Sequence, residues 1–220
     1  MPSAVDNLVN ASTLDAQAAK ALLKPNPRLE HAVAKSEAAG IPRITVSPLQ
    51  GQFLSIQCQL IGAKTVLEIG TLGGYSTIWF AETGAKVTSI EFNEKHRDVA
   101  VDNTKGLDVD IILGAALDVL PKLADEGKVF DFVFIDADWD EQFEYFQWAT
   151  KLVRPGGCIY VDNVVRAIFE DEKPSEGENL LTKVGRLDGV QATLVSSAMG
   201  HKQNVDEMFD GFLMAMVNKK

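Results

Sequence analysis

Residues 65–76 read Thr65-Val66-Leu67-Glu68-Ile69-Gly70-Thr71-Leu72-Gly73-Gly74-Tyr75-Ser76. This is a short apolar run, then a glycine-rich turn, then the opening of a helix. A run of this length has the size of a buried strand. Gly70 and Gly74 supply tight curvature, and they let a ligand approach the backbone with no Cβ in the way. A strand that ends in such a turn and feeds a helix is the starting unit of an open α/β sheet that binds ligands at its strand ends.

The same alternation continues downstream. Apolar runs at Val87–Glu91, Val109–Leu113, Asp131–Asp136 and Cys158–Asp162 are separated by helix-length stretches at Ser76–Glu82, Asn93–Lys105, Ala116–Glu126 and Asp140–Leu152. Such spacing predicts βαβ units and a parallel sheet covered on both faces. Val190–Ser197 and Phe212–Val217 have no helix-length segment between them and are expected to pair antiparallel at one edge. Upstream, Ser12 or Thr13 is expected to cap a helix running through Leu23. Lys24-Pro25-Asn26-Pro27 interrupts it, a second helix covers about Arg28 to Ala39, and a third apolar stripe spans Gly51 to Ile61. The predicted fold class is α/β, doubly wound: a mostly parallel seven-stranded, Rossmann-like sheet with an antiparallel edge strand and an N-terminal helical annex. Residues 1–220 are read as one domain, with helices in 1–50 and the core in 64–217.

Composition narrows the function. The chain has 220 residues and a formal net charge of -10, from 21 Lys+Arg against 31 Asp+Glu. That balance argues against nucleic acid as a partner, because phosphate binding needs a Lys/Arg-rich surface. Hydrophobic residues at 46% give it a core of its own, so no staple is needed. The two cysteines, Cys58 and Cys158, are too few and too far apart for a disulfide framework or a zinc site. No apolar run approaches the length of a membrane helix, and the N-terminus lacks a secretory pattern, so a cytoplasmic address and no membrane partner are expected.

Two groups of residues carry chemistry. The spacing Glu68-x-Gly70-x-x-x-Gly74 differs by one residue from the dinucleotide fingerprint, and Glu68 offers an acceptor carboxylate suited to an ammonium group. Glu91 ends the second strand 21 residues beyond Gly70, where α/β folds grip a ribose diol. The pair points to an adenosine-containing cofactor; the bland alternative is a tight turn with Glu91 as a solvated strand end. The second group is Asp136 and, 26 residues later, Asp162-Asn163, each at the end of an apolar run. On neighbouring parallel strands these ends converge on one rim and form an all-oxygen set suited to a hard cation such as Mg²⁺ or Ca²⁺. Each Asp taken alone reads as a helix cap, but their pairing beside a cofactor turn favours the metal.

At this point the sequence resembles the class I S-adenosylmethionine-dependent O-methyltransferases, in particular the cation-dependent group that includes catechol and caffeoyl-CoA methyltransferases. The match covers about residues 44–217 and rests on SPLQGQFLSI, VLEIGTLGGYSTIWFA, VTSIEFNEKH, FDFVFIDAD, LVRPGGCIYVDNVVR and DGFLMAMV, in order. The resemblance implies that Glu68, Gly70 and Ser76 meet the methionine end and glycine loop of S-adenosylmethionine, that Glu91 binds the ribose, and that Ala116 meets the adenine. It implies that Val46 and Ser47 line the same cleft, and that Asp136, Asp162 and Asn163 hold a divalent cation, Mg²⁺ first, with Ca²⁺ or Mn²⁺ as alternatives. Asp136 is expected to face the cofactor's amino end as well. The implied reaction is methyl transfer to a small catechol-like or phenolic acceptor, with the cation acidifying and orienting the hydroxyl. A homodimer is also implied.

Three positions depart from the pattern. Trp139 stands where the family has a Lys general base, and an indole cannot accept a proton. Either metal activation suffices, another group serves, or the usual phenol chemistry is lost; Asp138 and Asp140 are nearby but weak bases, and His201 reads first as an exposed loop histidine that could swing over the cleft. Ala115 replaces a common acid after Gly114. Arg166 replaces a common aromatic, and either meets an anionic substrate or ion-pairs with Glu170. The rivals to phenol methylation are therefore transfer to a different acceptor with a changed base, and a cofactor-binding protein without catalysis.

Overall fold

The computed structural model describes residues 4–170, 178–198 and 209–218. Three helices, α1 (Ala4–Leu22), α2 (Pro27–Ala38) and α3 (Pro48–Leu60), precede the alternating part of the chain. There follow β1 (Thr65–Ile69), α4 (Tyr75–Ala81), β2 (Lys86–Glu91), α5 (Glu94–Asn103), β3 (Val109–Leu113), α6 (Ala116–Asp125), β4 (Phe130–Ile135), α7 (Gln142–Leu152) and β5 (Val153–Val161). After these come α8 (Val164–Glu170), α9 (Leu180–Val184), β6 (Val190–Ala198) and β7 (Phe209–Val217). His201 lies outside the described residues. Among the described residues, no helix is long and apolar enough to cross a membrane.

The seven strands form one sheet in the order β3-β2-β1-β4-β5-β7-β6. Strands β1 to β5 are parallel, and β7 runs antiparallel between β5 and β6. The expected reversed strand is therefore β7, one place in from the edge that β6 forms. The chain leaves β1 in one direction for β2 and β3, and in the other for β4 and β5. The crevice between β1 and β4 is thus the switch point at which open α/β sheets bind ligands.

Side-chain alternation builds a core on each face. Leu67, Ile69, Val133, Ile135, Ile159 and Val161 pack on one side with Leu120 and Leu123 of α6 and Phe146 and Leu152 of α7. The intervening Val66, Phe132, Phe134 and Tyr160 pack on the other with Leu29 of α2, Leu54 of α3 and Ile78 and Phe80 of α4. Cys58 and Cys158 belong to this second cluster, and burial pushes their thiols up to about 12, so they pack as small apolar groups. At the amino-terminal rim, Asp131 accepts from the Lys64 and Thr65 amides and from Arg154, which ties β1, β4 and β5 together.

Several boundaries differ from expectation. Helix α1 begins at Ala4, so Ser12 and Thr13 are interior residues; the stretch before them contains no glycine, and its one proline, Pro2, precedes the helix. Strand β5 starts at Val153, ahead of the run expected from Cys158, and carries Pro155, Gly156 and Gly157 within it, beside a register shift between Phe130 and Phe132.

Candidate active site

Register places the chemistry. Ile69 pairs with Ile135, and Ile135 with Val161, so the residues that follow them, Gly70, Asp136 and Asp162, leave the sheet side by side. The Asp136 amide donates to the Ile69 carbonyl and the Asp162 amide to the Ile135 carbonyl, both at 2.9 Å. On the other flank, the Gly70 amide donates to the Ile90 carbonyl at 3.0 Å and the Gly114 amide to the Glu91 carbonyl at 2.9 Å. One rim thus carries the glycine turn, Glu91, the Gly114 turn and both aspartates.

A cavity of about 520 Å³ opens over this rim. Val46, Gly70, Ser76, Glu91, Ala116 and Asp136, all expected at a cofactor site, line it. The turn at its floor is held by Glu91, whose Oε2 accepts from the Thr71 amide at 3.2 Å and the Leu72 amide at 2.7 Å, while Oε1 accepts from the Asn93 amide at 2.8 Å. The carboxylate expected to meet a ribose is therefore also the clamp that shapes the loop. Gly70 has φ +95°, and a Cβ there would sit 2.0 Å from the Asp136 carbonyl oxygen. Only glycine allows β1 and β4 to stay paired up to this point.

Two of the residues expected at the cofactor, Ser47 and Glu68, are not among those that line this cavity. Ser47 caps α3, accepting from the Gln50 amide at 3.1 Å, and does not line this cavity. Glu68 shares the strand parity of Val66, which turns it toward α4, behind the cavity wall. There it is fully buried and accepts from the hydroxyls of Ser76 and Ser89, each at 2.6 Å, and of Thr77. Its partner Ser76 does line the cavity. Glu68 thus braces the wall through Ser76, Thr77 and Ser89.

Burial pushes the Glu68 carboxyl up from 4.5 to about 7, against the opposing effect of the three hydroxyls and with some help from the Glu91 charge. A group whose pKa rises on folding favours the folded state most at low pH. Its contribution is full below about 4.5 and is lost as pH rises through about 7, a loss on the order of 3 kcal/mol. Glu68→Gln, which cannot ionise, should therefore lose less stability than the parent between pH 5 and 8 in urea unfolding. An unchanged slope would contradict the assignment.

A second cavity of about 380 Å³ adjoins the first, and the two share Ile44, Thr45, Val46, Asp136, Ala137 and Asp138. The expected metal set, Asp136, Asp162 and Asn163, lines it together, with Trp139 and Arg166. Asp162 is buried, and its carboxyl is raised well above the ordinary carboxylate range by burial and then by the charges of Asp136 and Asp210. Its Oδ1 accepts from Gln50 Nε2 at 2.8 Å, and its carbonyl accepts from Gln142 Nε2 at 2.9 Å. Asn163 adopts φ 59°, a left-handed conformation that asparagine tolerates. Its Nδ2 donates to Asp210 Oδ2 at 2.9 Å, so the carboxamide oxygen is the atom that remains for another partner.

These residues fit a hard divalent cation. The buried Asp162 lies close enough to the part-buried Asp136 for their charges to oppose, a repulsion that a cation would relieve, and the amide orientation adds a neutral oxygen. Among the described residues, no group of three or more His, Cys, Asp or Glu is placed to hold a metal, so the set in question is two carboxylates and a carboxamide.

Sequence reasoning missed Gln50 and Asp210. Gln50 sits within the SPLQ stretch, but nothing there signals a reach to Asp162. Asp210 is fully buried and accepts from Asn163, from the Arg166 amide at 3.0 Å and from the Gly211 amide at 2.7 Å. Phe92, Tyr145 and Glu141 also line the larger cavity unannounced, although Phe92 directly follows Glu91.

A doubly wound sheet with a glycine turn, an acid on the next strand and a second cavity sharing the same rim defines a two-substrate enzyme of the nucleotide-cofactor class. Residues 20–189 match the model of the O-methyltransferase family. The chain is 40% identical to the catechol O-methyltransferase of Mycobacterium tuberculosis over 97% of its length and 99% of that protein's. It is 42% identical to the catechol O-methyltransferase of Niastella koreensis over 81% of its length and 85% of that protein's. Its fold superposes with a TM-score of 0.84 on the Bacillus cereus O-methyltransferase solved with S-adenosylhomocysteine, at 36% identity, covering 96% of this chain and 100% of that one. The chain belongs to the O-methyltransferase family. The resemblance drawn from the motifs to S-adenosylmethionine-dependent O-methyltransferases is borne out.

Proposed function

We propose that the chain transfers a methyl group from S-adenosylmethionine to one hydroxyl of a small ortho-diphenol, with a divalent cation held by Asp136, Asp162 and Asn163. The observation that carries this reading is the meeting of two cavities along Asp136 and its neighbours. One is bounded by the glycine turn, Glu91 and Ala116. The other is bounded by the buried Asp162 and by Asn163. The relatives named as catechol O-methyltransferases and the neighbour solved with S-adenosylhomocysteine support both halves.

The chain's own residues have distinct tasks. Glu91 holds the turn and offers its outward lone pairs to a diol, while the Gly114–Ala116 turn bounds the adenine end. S-adenosylmethionine supplies an already activated methyl group, so the protein has only to align and deprotonate. A divalent cation at the rim supplies positive charge that brings a phenolic pKa toward neutrality. With an indole at Trp139, no Lys or His among the described residues lines the smaller cavity. Asp138, which is exposed and lines both cavities, is the carboxylate placed to take the proton and pass it to water. The test is methyl transfer from S-adenosylmethionine across a panel of ortho-diphenols. A methylated product identified by mass supports the reading, and no transfer to any member contradicts it. Sustained transfer to a monophenol or an amine with none to diphenols would instead favour a different acceptor.

Asp210 orients the proposed ligand Asn163. In Asp210→Asn, either an amide group faces the Asn163 amide, or the new side chain flips and loses the Arg166 and Gly211 bonds. The Mg²⁺ concentration for half-maximal activity should rise roughly 10- to 100-fold. An unchanged Mg²⁺ requirement would remove Asp210 from the account.

A further inference from the structure

Arg166 and Trp139 meet in the smaller cavity. The guanidinium carbon lies 4.8 Å from the centroid of the indole, and both side chains line the space that Asp136, Asp162 and Asn163 bound. Among the described residues that line it, Arg166 is the one cation, while Asp136, Asp138 and Asp162 are acids. A cation placed there is not needed to balance a metal, whose charge would already meet those acids. Its side chain is only 19% exposed, and its Nε is shielded from solvent with no hydrogen-bond partner among the described residues. Glu170 Oε1 stands 3.7 Å away, too far for a hydrogen bond, on a side chain that is 60% exposed. A surface contact of that kind is weak.

The position of Arg166 is fixed relative to the metal rim. Its backbone amide and the Asn163 side chain both donate to the buried Asp210 carboxylate, at 3.0 and 2.9 Å. An aromatic face beneath a guanidinium leaves the in-plane N–H groups free to form a two-pronged contact with a carboxylate.

We propose that Arg166, laid against Trp139, reads a carboxylate on the acceptor, so that the preferred substrate is an ortho-dihydroxylated aromatic acid. The inference rests on the proposed function, because it takes the diphenol end to sit at Asp136, Asp162 and Asn163. It identifies the far end of that substrate by charge.

The experiment compares 3,4-dihydroxybenzoate with 3,4-dihydroxybenzamide, nearly identical in shape and differing in charge, as substrates of the Mg²⁺- and S-adenosylmethionine-loaded enzyme. The acid should be preferred about tenfold in kcat/KM, chiefly through KM. Arg166→Gln should bring the acid-to-amide ratio to about one, and Arg166→Lys, a point charge without the fork, should restore part of it. Independently, binding of 3,4-dihydroxybenzoate to enzyme holding S-adenosylhomocysteine, followed by tryptophan fluorescence, should weaken about tenfold in Arg166→Gln. If that variant does not fold, the Arg166→Lys ratio decides: a value equal to the parent's overturns the fork. Equal turnover of acid and amide by the parent, or a ratio that Arg166→Gln leaves unchanged, overturns the inference while the diphenol reading stands. Turnover of neither compound overturns that reading as well.

Discussion

Asp162→Asn is expected to abolish methyl transfer, lowering kcat/KM by about 10³-fold or more, while leaving the metal-free protein as stable as the parent or more so. The two halves of this result come from one cause. Asp162 is buried, its carboxyl is raised by burial, and it faces the charges of Asp136 and Asp210. In the folded protein without a cation, that carboxylate is a liability. Asparagine keeps the shape and an oxygen for the Gln50 contact at 2.8 Å, and it removes the charge. A group kept for packing would show the opposite pattern, a falling Tm with activity lost in proportion to unfolding. Thermal melts in EDTA and steady-state rates in Mg²⁺ separate the two. A variant that keeps more than a tenth of the parent rate would remove Asp162 from the reaction.

The second large effect is at Gly70. An alanine there would carry φ +95° and place its Cβ 2.0 Å from the Asp136 carbonyl oxygen, a backbone atom that cannot swing aside. Backbone strain and overpacking together should cost about 3–5 kcal/mol, and relief can come only by parting β1 from β4 at the crevice between the two cavities. Gly70→Ala should therefore lose cofactor affinity by more than about 100-fold, because the glycine turn and Asp136 would move apart. Urea unfolding and calorimetry with S-adenosylhomocysteine measure the two effects. Parent-like affinity in a destabilised variant would show that the turn is structural only.

Much of this molecule is legible in the sequence because its determinants are local. The runs at Thr65–Ile69 and Val109–Leu113 coincide with β1 and β3 to the residue, and β2 differs by one. The central β1 is buried on both faces and reads as a nearly continuous apolar run, the edge strand β3 is only half-buried, and the flanking helices reset the pattern around each. The acids at strand ends were legible for the same reason: the residue after the last apolar position of a parallel strand must reach the carboxyl rim. What escaped depends on partners distant in sequence. Gln50 meets Asp162 across 112 positions, and Asp210 meets Asn163 across 47, so neither residue is marked by its own neighbours. Glu68 is marked by its motif, but the spacing of a motif does not say on which face of β1 a side chain lies, whereas the parity of Val66 and Glu68 does. The two departures at Trp139 and Arg166, which look unrelated 27 positions apart, prove to be stacked on each other.

The proposed reaction depends on a divalent ion at the ends of β4 and β5, and no Lys or His among the described residues lines the smaller cavity to compensate for its removal. The most direct measurement is methyl transfer from S-adenosylmethionine to a diphenol by enzyme stripped with EDTA and then titrated with Mg²⁺. Turnover should vanish on stripping and return with the added ion, whereas stripped enzyme working at the parent rate would contradict the account.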